Sequence, residues 1–411
     1  MIRIISHIFT MRIVILATMM TMTATAMQAL PDSVLKSPNK RLTISMIHEG
    51  FSINYMDKPV TVCKVLGVIT QHNQQPNKGG DNQIPVLKER KDIHVHYQML
   101  TGKKQMCDNE AHEAVYAISS QIRLRLRAYN DGVAFRYELS GLKDDQVKDE
   151  LTTYFIREGQ RRWIQKYTQP YEEYFPMTTS GISSDNQTNR PNNHLGYPAL
   201  TETEKGIFAL FTESDIHRNQ SASSLTNNGE LYQVQPDGNP SLLNGNWNTP
   251  WRVIIIGKLN EVVQSTLVTD LAEPSKIQDT SWIHPGVAAW IYWAYNHGSN
   301  DYQIVKRYID MAHLLHLPYV LIDAEWDEMK NGGNIDDAIA YAHQQGIKPI
   351  LWYNSTTAWI NGAPGPKYRL NDADKREQEF SILEKKGVAG VKIDFFEGDA
   401  QPAMAYCIDL L

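Results

Sequence analysis

The sequence predicts a multidomain protein of β plus α/β class, an N-terminal antiparallel β-sandwich followed by the first half of a (β/α)8 barrel. Three observations predict it. Residues 30–275 hold many short strand-like runs separated by polar turns, the pattern of a large antiparallel sandwich. Residues 276–411 switch to strand–helix units whose strand ends lie roughly thirty to forty residues apart, the cadence of parallel β/α units. Gly390-Val391-Lys392-Ile393-Asp394-Phe395-Phe396 is an apolar run ending on one carboxylate. That reads as a buried parallel strand delivering an acid to a sheet's C-terminal edge, where a β/α barrel keeps its chemistry.

The chain has 411 residues, too many for one ordinary core. At 42% hydrophobic and 21% charged its composition is that of a soluble protein. A net charge of −6 gives no basic face, which excludes nucleic acid as a partner class. Nine Trp and twenty Tyr suit stacking on sugar faces, and a large β-rich core accounts for them equally well.

The first element is a signal segment. Arg3 and Arg12 supply a weakly basic start, Ile13 to Met22 is an unbroken run of apolar and small residues, and Ala24, Ala26 and Ala29 offer small-residue cleavage positions. The run is too short for a membrane span. Residues 1–29 are therefore expected to be removed on export to the periplasm or medium, and no other segment is apolar enough to cross a bilayer. In an exported protein Cys63 and Cys107 can pair, or both can be small buried core residues; spacing does not decide.

The sandwich is expected over 30–275. Ile122-Arg123-Leu124-Arg125-Leu126-Arg127 alternates strictly, which puts one face on a core and the arginines in water. Asn130-Asp131-Gly132 follows as a hairpin turn with Gly132 free to take positive φ, and Val133 to Leu139 is the return strand. Residues 206–211 and 251–256 read as further strands.

The half-barrel is expected over 276–411. Strands are read at Val287 to Trp293, Tyr319 to Asp323, Lys348 to Asn354 and Gly390 to Phe396. Helices follow at Tyr302 to Leu315, at Ile335 to Gln345 before Gly346, at Asp374 to Lys386 before Gly387, and from Ala400 onward. A four-stranded flavodoxin-like sheet is the structural alternative. The barrel reading is preferred because each strand end carries aromatic or acidic groups and no glycine-rich phosphate loop follows the first strand. A closed barrel takes eight units and roughly 250 residues, so the expectation is a chain that stops within its barrel.

The strand ends carry the candidate chemistry: Trp293; Asp323 with Glu325 and Trp326; Trp352 with Tyr353 and Asn354; Lys392 with Asp394. Carboxylates beside aromatics suit glycoside hydrolysis, in which one acid attacks or activates water, another protonates the leaving oxygen, and rings stack on the sugar. Asp394 is the candidate nucleophile, and a helix cap is the plainer reading of it. Period two sends Lys392 and Asp394 to one side of their strand. There the lysine can bond a sugar hydroxyl or hold Asp394 ionised. Tyr171-Glu172-Glu173-Tyr174-Phe175-Pro176 places two acids among aromatics, either as a solvated turn or as a loop reaching a neighbouring domain. Zinc-type ligand spacings and Gly-x-Ser-x-Gly are absent.

Residues Tyr129 to Tyr137, Thr249-Pro250-Trp251-Arg252, Asp279 to Gly286 and Gly390 to Phe396, in that order, resemble glycoside hydrolase family 97. The resemblance implies a β-super-sandwich joined to a catalytic barrel and an α-glucosidase or α-galactosidase activity. It implies an active-site calcium ion with a sandwich glutamate among its ligands; Glu172 matches that position, with Glu173 as the alternative. Retaining members place an aspartate nucleophile where Asp394 stands, and the general acid comes from the second half of the barrel. The reading is thus an exported, calcium-dependent retaining α-glycosidase, an α-galactosidase above an α-glucosidase, acting on an oligosaccharide. Asp394 is its nucleophile, Asp323, Glu325 and Lys392 its sugar contacts, and Glu172 its calcium ligand. An inverting α-glucosidase and a non-catalytic carbohydrate-binding scaffold are the alternatives.

Overall fold

A computed structural model describes residues 33–48, 50–73, 85–181, 194–238, 242–295, 298–358 and 360–411. The expected signal segment, residues 1–29, lies outside the described residues. Two large antiparallel sheets, one of eight strands and one of ten, make the N-terminal part. Leu42–Ile47 and Gly50–Tyr55 belong to the first, Ile122–Tyr129, Gly132–Asp145 and Trp251–Gly257 to the second. Alternation along these strands turns their apolar residues inward. Phe51, Phe135, Tyr154 and Phe211 meet there, all almost fully buried, and Phe135 packs edge-on against Phe51 with ring centres 5.1 Å apart. Such T-shaped contacts suit the charge distribution of aromatic rings.

The outer face of the ten-stranded sheet departs from expectation. Arg123 is exposed, but Arg125 and Arg127 keep only 16% and 17% of their side-chain surface. Two short helices, Leu259–Gln264 and Leu267–Leu271, cover part of that face through a second core of Trp251, Val253, Val262 and Leu267. The arginines are therefore paired. Arg127 donates to Glu113 at 2.6 Å, Arg125 bonds Glu113 and Glu138, and Arg127 and Arg136 each lie 4.5 Å from the Trp251 ring centre.

Gly132 also differs from expectation, because its φ is not positive. The hairpin does form, with Ala128 opposite Val133. Glycine is needed there for close approach: a Cβ would sit 2.5 Å from the Ile254 carbonyl oxygen and 2.6 Å from Leu267.

The C-terminal part is a four-stranded parallel sheet. Its strands, in spatial and chain order, are Ala288–Trp290, Tyr319–Ile322, Lys348–Asn354 and Gly390–Asp394. Each gap is crossed by a helix: Tyr302–Leu314, Ile335–Gln344 and Ala373–Lys385, with Gln401–Leu410 after the fourth strand. Sequential order without reversal is the barrel pattern; a doubly wound flavodoxin-like sheet switches direction. Asp301, Asn334 and Asp372 cap the first three helices by accepting backbone N–H bonds. Gly346 and Gly387, at φ 74° and 71°, end the second and third. Val305, Ile309, Ala338, Ala342 and Leu383 pack against Val320, Ile322 and Leu351 to form this part's own core. The first strand is shorter than expected, stopping at Trp290, because the chain turns after Ile291, whose carbonyl accepts from the Tyr295 N–H at 3.2 Å. Cys63, Cys107 and Cys407 are free thiols; the first two are core residues and no disulfide joins them.

Candidate active site

Parallel strands point their C-terminal ends the same way, so the residues that end them collect at one edge. Trp352 pairs with Lys392 and Asn354 with Asp394 in register. Val391 and Ile393 of the fourth strand pack on the core, and the alternate residues Lys392 and Asp394 take the other face.

That face holds a chain of hydrogen bonds. Lys392 Nζ lies 3.2 Å from Asp394 Oδ2 and 3.2 Å from Asp323 Oδ2. Asp394 Oδ2 also accepts from the Trp352 indole at 3.0 Å, and Oδ1 accepts from the Phe395 N–H at 2.9 Å. Asp323 accepts from the Trp290 indole at 2.7 Å and from the Ala324 N–H at 2.8 Å. Lys392 Nζ sits 4.9 Å from the Trp290 ring centre, and the Trp293 ring lies 4.8 Å from that of Trp290.

The two carboxylates differ in environment. Asp323 exposes 4% of its side chain and Asp394 39%. Burial works to raise the Asp394 pKa, but the Trp352 indole, the Phe395 N–H and Lys392 outweigh it and hold the carboxyl below the usual carboxylate range. Asp394 is thus an ionised, accessible acid gripped by donors. Asp323 is a buried acid whose bonds run to Lys392 and Trp290, an arrangement that orients neighbours.

Glu325 adopts a left-handed conformation at φ 68°, and its N–H donates to Gly365 O at 2.8 Å. Its carboxylate accepts from the Asn300 amide at 2.8 Å. Burial raises the Tyr292 pKa, and the negative charges of Asp323 and Glu325 push it the same way, which places Tyr292 in the field of both acids.

The acidic loop of the sandwich does come to the β/α part: the Tyr171 hydroxyl donates to Asp399, five residues after Asp394. Glu172 and Glu173 are exposed on that loop. Calcium takes roughly six to eight oxygen ligands. Among the described residues no group of three or more His, Cys, Asp or Glu is disposed to hold a metal ion, and Glu172 is one carboxylate on the exposed loop. Trp290, Tyr292, Asn300 and Asp399 are site residues that the sequence reading does not name. For Trp290 the signal was there, since it is the last residue of a short apolar strand and period two sets it apart from Ala289.

Residues 35–274 match the family model described as glycosyl-hydrolase 97 N-terminal, and residues 282–411 match that described as glycoside hydrolase 97. A probable retaining alpha-galactosidase of Streptomyces bingchenggensis is 28% identical over 342 residues, covering 79% of this chain and 51% of that protein. A retaining alpha-galactosidase of Bacteroides thetaiotaomicron is 23% identical over an alignment of 442 residues, covering 92% of this chain and 61% of that protein. The crystal structure of a beta-arabinopyranosidase superposes with a TM-score of 0.79 at 24% identity, over 92% of this chain and 64% of that one, a likeness of fold. This chain spans about half to three fifths of the length of those two galactosidases.

Proposed function

The chain belongs to glycoside hydrolase family 97, and from that premise we propose that it carries the nucleophile half of a retaining α-galactosidase acting on terminal α-linked sugars of oligosaccharides. The observation that carries this reading is the state of Asp394: accessible, ionised and held from both oxygens at the C-terminal edge of a parallel sheet. The names of the two similar galactosidases support the sugar and the stereochemistry.

In this mechanism Asp394 attacks the anomeric carbon as the glycosidic C–O bond breaks. The leaving oxygen takes a proton from a general acid, which we assign to none of the described residues. Water then gives up a proton to the same group, attacks the anomeric carbon and frees Asp394. Retention sets the two carboxyl groups about 5–5.5 Å apart. Lys392 keeps Asp394 charged and, with Glu325, is a proposed sugar contact; Asp323 stands behind Lys392 and steadies it. Calcium remains a proposal to which Glu172 contributes one carboxylate, and no step runs through it. A bound calcium ion would supply charge stabilisation. Export through residues 1–29 is likewise proposed; no described helix is long and apolar enough to cross a membrane.

Proton NMR of the first-formed sugar released from an aryl α-galactoside by the complete enzyme, general acid included, tests the reading. The α-anomer is expected. The β-anomer gives the inverting mechanism instead, and sugar binding without turnover gives a carbohydrate-binding scaffold.

A further inference from the structure

The turn that leaves Asp394 is gripped from two sides. Phe395 adopts a left-handed conformation at φ 61°, and its N–H donates to Asp394 Oδ1 at 2.9 Å. A non-glycine residue pays for that conformation and keeps it only where its surroundings over-determine it. On the near side the β/α part supplies the hold. Ser355 Oγ donates to Phe395 O at 2.6 Å, Thr357 Oγ1 donates to the same oxygen at 3.3 Å, and the Glu397 N–H donates to Thr357 Oγ1 at 3.2 Å.

On the far side the hold comes from the sandwich. Asp399 is 8% exposed. It accepts from the Tyr171 hydroxyl, its N–H donates to Asp237 Oδ2 at 3.2 Å, and its carbonyl accepts from the Ala222 N–H at 2.9 Å. The Tyr167 hydroxyl donates to that same Asp237 oxygen at 3.3 Å. Gly398 takes a left-handed φ of 54°, which glycine adopts without strain, beside Asp237, Tyr167 and Gln169. The Gln401 amide donates to Arg218 O at 2.6 Å just beyond.

We propose that Tyr171 and Asp399 form a strut through which the sandwich sets the geometry of the Asp394 turn, and that Asp399 is a positioning residue for Asp394. The strut ties both structural parts together within five residues of the candidate nucleophile. Tyr171, left-handed at φ 57°, is also the residue from which the Glu172–Glu173 loop departs. The consequence for turnover rests on the nucleophile reading above; the consequence for the turn's geometry does not.

The test uses the full chain, with carboxyl-labelled aspartate and the Asp394 signal assigned by its loss in Asp394→Asn. Amide exchange at Phe395 and the Asp394 titration are followed in Asp399→Ala, Tyr171→Phe and Asp399→Asn. Exchange at Phe395 should quicken at least tenfold in Asp399→Ala and Tyr171→Phe, and the Asp394 titration should move to higher pH as its N–H donor loosens. Asp399→Asn keeps an acceptor oxygen for Tyr171 and should restore both. If Asp399→Ala does not fold, Tyr171→Phe, which removes one hydroxyl, decides alone. Unchanged exchange and titration in Tyr171→Phe, or no rescue in Asp399→Asn, overturns the strut. Activity retained in Asp394→Asn of the active enzyme would overturn the nucleophile reading and leave these measurements standing.

Discussion

Lys392 Nζ and Asp394 Oδ2 stand 3.2 Å apart on one face of the fourth parallel strand. The lysine also reaches Asp323, so one cation joins the strand-two and strand-four acids. The consequences are measurable.

Asp394→Asn keeps shape and removes the nucleophilic charge, so kcat in the active enzyme should fall more than a hundredfold, equivalent to about 2.7 kcal/mol of lost transition-state stabilisation. Asp394→Gly with added azide should restore cleavage of an activated aryl α-galactoside and yield the β-glycosyl azide, by one inversion. Turnover above a hundredth of the wild type in Asp394→Asn makes Asp394 an orienting group.

Lys392→Met should raise the Asp394 pKa, since the cation is one of the groups holding it down. A carboxyl depressed in the folded state adds stability that is present above its unfolded value, near 3.9, and lost as pH falls through the folded one. The variant should therefore lose that contribution at a higher pH than the wild type. The acid limb of kcat/KM should shift upward with it. Carboxyl NMR and urea unfolding between pH 3 and 7 check both.

Arg252 sits fully buried between two acids, with its Nη2 2.7 Å from Glu150 Oε2 and its Nη1 bonded to Glu213. Removing the cation leaves two desolvated carboxylates. Arg252→Ala should cost about 3–5 kcal/mol at pH 7. Burial already raises the Glu213 pKa, so the loss should shrink as pH falls and Glu213 takes up a proton. Denaturant titrations at pH 7 and pH 5 measure the difference.

All three thiols are free, and burial pushes the Cys63 thiol well above its ordinary pKa. A thiol assay in denaturant without reductant should count three, reductant should leave Tm unchanged, and Cys63 should resist alkylation until the sandwich unfolds.

Period and punctuation made much of this molecule legible. Lys392 and Asp394 follow from alternation along one strand, and Gly346 and Gly387 mark helix ends that occur as expected. What escaped depends on distant chain segments. The alternation that exposes Arg123 says nothing about Glu113, Glu138 and Trp251, which partner Arg125 and Arg127. Gly132 looks like a turn glycine because Asn-Asp-Gly is a turn signal, yet the constraint comes from Ile254, more than a hundred residues away. Trp293 looks like a strand end, but no local pattern reveals that the chain turns after Ile291. Asp399 carries no local signal either, since its partners Tyr171 and Asp237 lie over 160 positions upstream.

The Trp290–Trp293 pair gives the site a built-in optical reporter. Two indoles with ring centres 4.8 Å apart and planes at 47° couple their electronic transitions, and one of them donates to Asp323 beneath Lys392. Sugar arriving on the exposed face of Trp293 perturbs that coupled pair directly, and a proton arriving on Asp394 reaches it through Lys392, whose Nζ touches both Asp394 and the Trp290 ring. Occupancy of the site is therefore expected to be readable as a change in tryptophan circular dichroism and emission without any attached label, and replacing Trp293 with phenylalanine should silence the coupled signal while leaving the Trp290 hydrogen bond in place.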